Sequence, residues 1–116
     1  MGYESRVYVV ERNEFGKDDV ITNEIAKFNL GKVGYNFTDV FEKNDKGLYI
    51  IEDNHYIVED NYGDKLTIAK AEDVMNIIES ESDLDLFEYR RTHDLYVFLQ
   101  SAVNNYNDLW CMHYGY

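Results

Sequence analysis

The N-terminal part of the chain alternates apolar runs with turn-forming segments. Residues 6–10 are β-branched and aromatic, and a polar segment at residues 13–19 separates them from a second apolar stretch at residues 20–30. Strands favour β-branched and aromatic side chains, whereas turns favour Asn, Asp and Gly, so the pattern predicts an antiparallel pair. Two glycines then end the second strand, and a short helix capped by Asn or Thr is expected over residues 36–41.

Further strand patterns occur in the middle and at the end of the chain. Residues 48–51 and 56–58 are short apolar runs, and the four residues 52–55 between them predict a hairpin loop. Residues 65–69 and 109–114 predict two more strands. A mostly antiparallel sheet of five or six strands follows.

The hydrophobic period becomes helical after residue 70. Apolar side chains of residues 71–79 recur at helical spacing, and a longer stripe runs through residues 87–103. The acid-rich residues 80–85 are too polar for a core and predict a link between the two helices. The fold class expected is α+β, a single domain over residues 1–116 with both helices packed on one face of the sheet.

Composition narrows the function classes. The chain has 116 residues, 45% of them hydrophobic, and a net charge of −12, so it is acidic yet apolar enough to fold. No run approaches the roughly 20 apolar residues of a membrane span, and the first residues lack the apolar core of a secretion signal. A single cysteine fits a reducing compartment. We expect a cytosolic protein.

Negative charge is concentrated in one interval. No Lys or Arg occurs between Lys70 and Arg90, and we call residues 71–89 the acidic segment. Like charges repel and weaken a compact state, so we interpret this concentration as a surface for a basic partner protein. The alternative is an ordinary solvated face. The candidate partner-binding residues are Glu72, Asp73, Glu79, Glu81, Asp83, Asp85 and Glu88.

The same charge argues against other partners. A protein this acidic repels nucleic acid and anionic membranes, so direct binding to either is not expected. Eleven tyrosines are too many for a small core to hide, and tyrosine suits protein interfaces because its ring is apolar and its hydroxyl is polar. Self-association through exposed tyrosines, giving a homo-oligomer, is therefore a second hypothesis.

One pair of side chains could ligate a metal. Cys111 and His113 are two residues apart, so on a strand they project from the same side. A zinc site needs three or four ligands and would have to recruit His55, His93 or Asp94. The alternative is a buried cysteine beside a hydrogen-bonded histidine. We therefore expect no cofactor, with zinc at Cys111 and His113 as the hypothesis left open.

No pattern predicts an enzyme. A catalytic cysteine needs a base within hydrogen-bond reach, and apolar, acidic surroundings raise the pKa of the Cys111 thiol. An EF-hand calcium loop starting at Asp83 fails because Glu88 occupies the position that needs glycine. Phosphate-binding glycine motifs are also missing from the sequence. Binding, rather than catalysis, is the expected activity.

Some segments carry a family resemblance. Residues 1–11 resemble the start of a group of small accessory proteins from phages of Gram-positive bacteria. Residues 25–30 and 62–66 are similar in order and spacing, so the resemblance extends over the first two-thirds of the chain. It implies a viral protein acting in the host cytoplasm, and it carries no catalytic motif.

The resemblance also suggests what such a protein inhibits. Small acidic phage proteins often inhibit host defence, and anti-CRISPR proteins that block type II RNA-guided DNA nucleases are a prominent set. Several of them look like nucleic-acid mimics, and such nucleases hold the guide heteroduplex in a positive channel. We therefore expect an inhibitor whose carboxylates compete for such a channel.

Overall fold

The computed structural model describes residues 4–15, 19–34, 36–81 and 89–116. In these ranges the chain forms a sheet, a separate hairpin, two α-helices and one short 3-10 helix. The elements follow in the order β1 (Ser5–Phe15), β2 (Asp19–Gly31), the 3-10 helix (Phe37–Val40), β3 (Glu42–Lys43), β4 (Ile50–Glu52), β5 (His55–Ile57), β6 (Thr67–Lys70), α1 (Ala71–Ser80), α2 (Arg90–Ala102) and β7 (Leu109–Gly115).

The main sheet confirms the predicted α+β class. Its five strands lie in the order β2-β1-β7-β6-β3, and each neighbouring pair is antiparallel. The C-terminal strand β7 occupies the centre, where both of its faces are covered, and all but one of its seven residues are buried. This burial explains why its sequence is almost continuously apolar rather than alternating.

Each face of the sheet is covered by a different layer. The predicted packing of both helices on one face is confirmed, since Val74 of α1 and Leu95 of α2 share a core with Val7 and Cys111. Alternate residues of the strands point to the other face, where the β4–β5 hairpin closes a second core. The buried side chains of that second core are Tyr8, Val10, Leu48, Ile50, Leu66, Ile68, Trp110 and Met112.

The predicted hairpin exists, but its turn and its place differ from expectation. Asp53 and Asn54 both have positive φ, 51° and 65°, and make a two-residue turn rather than a four-residue loop. Such turns match the twist of the flanking strands, and Asp and Asn tolerate this conformation. The hairpin forms a sheet of its own instead of extending the main one.

The helices agree with the sequence pattern where the structure describes them. Helix α1 follows β6 directly, and α2 covers the predicted stripe from residue 90, residues 87 and 88 being outside the described ranges. A short helix is found as expected, with Asn36 at its N-cap, although no side-chain cap bond forms. Neither α1 nor α2 has the length and apolar composition of a membrane-crossing helix.

Candidate functional site

The acidic segment begins with two exposed carboxylates at the start of α1. Glu72 and Asp73 lie in the first turn of the helix, which begins after Lys70 without a side-chain cap. The N-terminal end of a helix carries partial positive charge, so acids in this turn stabilise it. Both carboxylates thus serve the fold while remaining open to solvent, where a partner can contact them.

Glu79 lies at the opposite end of α1, where a negative charge opposes the helix dipole. Its Oε1 accepts a hydrogen bond from the hydroxyl of Tyr96, a residue of α2. The hydrogen bond to Glu79 raises the pKa of Tyr96, because the carboxylate stabilises the protonated phenol. Glu79 therefore links the two helices.

Glu81, the residue that ends α1, is half-buried and faces the segment before the 3-10 helix. Its Oε1 accepts a hydrogen bond of 2.8 Å from the backbone N–H of Asn36. The carboxylate lies so close to Gly34 that a Cβ at this position would overlap Glu81 Oε2. Sequence reasoning treated Glu79 and Glu81 as free for a partner, and both instead have partners inside the fold.

The acidic segment contains three further candidate acids. Asp83, Asp85 and Glu88 lie outside the described residues. Within the part of the chain that the structure describes, the ion pairs lie elsewhere and none involves an acid of α1 or Glu81. Glu72, Asp73 and Glu79 are thus exposed without a cationic partner in those ranges, and Glu72 and Asp73 are the two that also accept no side-chain hydrogen bond there.

A second group of acids lies in the hairpin layer, on the face of the sheet opposite α1. Glu52 accepts a hydrogen bond of 2.6 Å from the hydroxyl of Tyr8 and lies 3.7 Å from the ammonium of Lys27. Burial and the hydrogen bond to Glu52 raise the pKa of Tyr8 to about 12. These contacts fasten the hairpin to the sheet.

Asp60 is another carboxylate used by the fold. Its Oδ1 accepts backbone N–H bonds from Tyr62 and Asp64 at 2.8 and 3.1 Å, and its Oδ2 accepts one from Gly115 at 3.3 Å. A short polar side chain that accepts from its own loop fixes a tight turn. Asp60 therefore ties the loop after β5 to the end of β7.

Cys111 and His113 project from the same face of β7, as their spacing predicts. The thiol of Cys111 is fully buried in the helix-side core, and burial raises its pKa, the direction expected from its apolar surroundings. In the described ranges, no group of three or more His, Cys, Asp or Glu side chains is placed to hold a metal ion. The pair alone supplies two of the ligands that zinc needs.

His113 has a partner that sequence reasoning missed. Its Nε2 and the Oγ of Ser5 form a hydrogen bond of 2.8 Å across 108 positions of sequence, and the Phe41 ring packs 5.2 Å from the imidazole. Burial lowers the pKa of His113, and the charge of Asp60 opposes that shift. Ser5 has no exposed surface, so the pair does not present a nucleophile to solvent.

Comparison with known protein families, curated proteins and solved structures finds no match to this chain. The class that the geometry defines is an acidic α+β domain with carboxylates on two opposite layers.

Proposed function

We propose that this protein is an acidic inhibitor that binds a basic, nucleic-acid-handling protein through the exposed carboxylates of the acidic segment. The observation that carries the proposal is the position of Glu72 and Asp73, which are exposed on a helix without a cationic partner among the described residues. A helix fixes the backbone from which these side chains extend, so binding a partner costs the rotamer freedom of the two side chains but not the ordering of a loop.

The physical basis is competition with phosphate. Lysine and arginine side chains in a nucleic-acid channel form charge-assisted hydrogen bonds to phosphate, and carboxylates offer similar acceptors. With 23 acids against 11 basic residues, the chain also carries a long-range field that attracts a cationic channel and repels nucleic acid itself. Binding of this kind weakens as salt screens the charges.

The phage resemblance selects the first partner to test. A type II RNA-guided DNA nuclease holds its guide heteroduplex in a positively charged channel and reads a short adjacent motif with arginines. The protein would enter the host cytoplasm during infection and block DNA loading or cleavage there. This assignment depends on the resemblance of residues 1–11, 25–30 and 62–66 and on the charge.

A cleavage assay tests the proposal directly. Purified nuclease loaded with guide RNA is mixed with the protein, and cleavage of a labelled target is measured at low and high salt. We expect inhibition at low salt, relief at high salt, and about tenfold weaker inhibition by the variant E72Q/D73N, a loss equal to roughly 1.4 kcal/mol. Glu79 and Glu81 are left unchanged because their loss would disturb the fold.

The control variant is E4Q/E24Q, which removes the same number of charges from two exposed positions, one directly before β1 and one in β2. It should inhibit like the native protein. Equal inhibition by E72Q/D73N and the native protein would show that these carboxylates do not contact the nuclease, and no inhibition by the native protein would exclude this partner.

A further inference from the structure

The outward surface of the β4–β5 hairpin is apolar. Ile51 and Tyr56 are directly opposite each other across the two strands, with 47% and 67% of their surfaces exposed. Val58, two residues further along, is 63% exposed, and the Tyr49 ring packs on that of Tyr56 at 5.3 Å. We call these four side chains the hairpin surface. Single exposed hydrophobic residues are common, but a continuous group on one face is typical of an interaction site.

The hairpin that carries this surface is held firmly in place. Its opposite side contributes Ile50 to the hairpin-side core, and Glu52 is fixed by the hydroxyl of Tyr8. The backbone N–H of Tyr49 donates to Thr22 Oγ1 at 3.3 Å, joining the hairpin to β2. A surface ordered before binding loses less entropy when a partner docks, so the hairpin surface is prepared for contact.

The charge around the hairpin surface indicates which kind of partner would cover it. Residues 48–65 hold five carboxylates against one lysine, and three of the five, those of Asp53, Glu59 and Asp64, are exposed. Asp53 in the turn and Glu59 directly after Val58 are both exposed, so carboxylates border the apolar side chains at two ends. A complementary segment presents Lys or Arg side chains beside apolar ones, since complementary potentials at an interface favour association.

The same charge disfavours a second copy of this chain. Symmetric dimers place one surface against itself, so the exposed carboxylates of Asp53 and Glu59 that border the hairpin surface of one copy would lie near those of the other. Like charges opposed at an interface disfavour association.

We propose that the hairpin surface docks a polypeptide segment of another protein that carries both cationic and apolar side chains. The segment covers Ile51, Tyr56 and Val58 with its apolar side chains and reaches Asp53 and Glu59 with its cations. This surface lies on the opposite layer from Glu72 and Asp73, so it is a separate site and does not depend on the nuclease proposal.

Labelled synthetic peptides test the proposal by fluorescence anisotropy. The probe is a short peptide of alternating lysine and valine, and two control peptides replace either every valine with serine or every lysine with glutamate. We expect the lysine–valine peptide to bind at least about tenfold more tightly than either control. Amide chemical shifts should change around residues 49–58 when it binds. Equal binding of the lysine–serine peptide, or shifts centred on α1, would overturn the proposal.

Variants of the protein provide a second test of the proposal. I51T/Y56T keeps β-forming residues on outward positions, and it should bind the lysine–valine peptide about tenfold more weakly. V97T is the matched control, because Val97 is 50% exposed on α2, in the layer opposite the hairpin. If I51T/Y56T fails to fold, V58T provides the same test with a smaller loss.

Two results would contradict the assignment. Unchanged affinity in a folded I51T/Y56T variant would show that the peptide binds elsewhere. A native dimer that I51T/Y56T converts to monomer, measured by sedimentation, would show that a second copy covers the hairpin surface.

Discussion

The hydroxyl of Tyr96 donates a hydrogen bond to the carboxylate of Glu79, and this bond joins the end of α1 to the middle of α2. The two residues are 17 positions apart and belong to the helices that cover one face of the sheet. An acid at the C-terminal end of a helix opposes the helix dipole, so Glu79 is placed for this contact rather than for the stability of α1 itself.

Replacing Glu79 tests this contact. In E79Q the carboxylate that raises the pKa of Tyr96 is gone, so the phenol should ionise at lower pH than in the native protein. Tyrosine-selective NMR resonances followed from neutral to alkaline pH measure the change. Y96F should lower the free energy of unfolding, and E79Q/Y96F should cost less than the sum of the single changes. Purely additive costs would contradict the contact.

Gly34 supports a second prediction, because a methyl group at its Cα would displace the Glu81 carboxylate from Asn36 N–H. We expect G34A to lower the free energy of unfolding by about 1 kcal/mol, the net value of one hydrogen bond. Urea unfolding followed by Trp110, the sole tryptophan, measures it.

Glu81→Ala removes the same bond and is the matched comparison for G34A. In G34A/E81A the added methyl group meets no carboxylate, so the second substitution should cost little beyond E81A alone. A double variant that loses the full sum of the two single effects would show that Gly34 and Glu81 do not interact.

Local periodicity accounts for what the sequence predicted well. The β-branched and aromatic run of β1, the apolar stripe of α1 and the shared face of Cys111 and His113 each depend on neighbouring residues, and all agree with the structure. The two-residue turn at Asp53 and Asn54 was missed because both residue types also suit a longer loop.

Contacts between residues far apart in the sequence could not be predicted from the local pattern of hydrophobic and polar residues. The position of β7 between β1 and β6, and the bond from Ser5 to His113, join segments whose spacing carries no period. The candidate binding site was the part that the sequence predicted least well. Charge alone could not separate Glu72 from Glu79 and Glu81, whose carboxylates accept hydrogen bonds inside the fold. The separation of helix and hairpin acids onto opposite layers likewise required the topology.

Cys111 should be unreactive in the native protein. Its thiol is fully buried, so a reagent cannot reach it, and burial raises its pKa, so little of the reactive thiolate is present. We expect labelling by a thiol reagent at pH 8 to be at least about 100-fold slower than in denaturant, because only open molecules react. Rapid labelling without denaturant, under conditions where Trp110 fluorescence stays native, would contradict this burial.

His113 should make the protein less stable as the pH falls below neutrality. Burial lowers its pKa in the folded state, so the unfolded chain binds the proton more readily. The resulting stability is fully present above about pH 6.5, the ordinary value for histidine, and declines as the pH falls toward the folded pKa. The slope from this one group reaches about 1.4 kcal/mol per pH unit within that window.

Two measurements separate this effect from the titration of the carboxylates. NMR titration of the imidazole gives the folded pKa of His113 directly, and we expect a value below 6.5. Denaturant unfolding of native protein and H113Q across the same pH range gives the contribution of His113 to the pH dependence of stability. Glutamine does not titrate, so the H113Q curve reports the titration of all the other groups. The difference between the two free energies of unfolding should shrink as the pH falls through this window. A difference independent of pH, or an imidazole that titrates above 6.5, would mean that burial does not control His113.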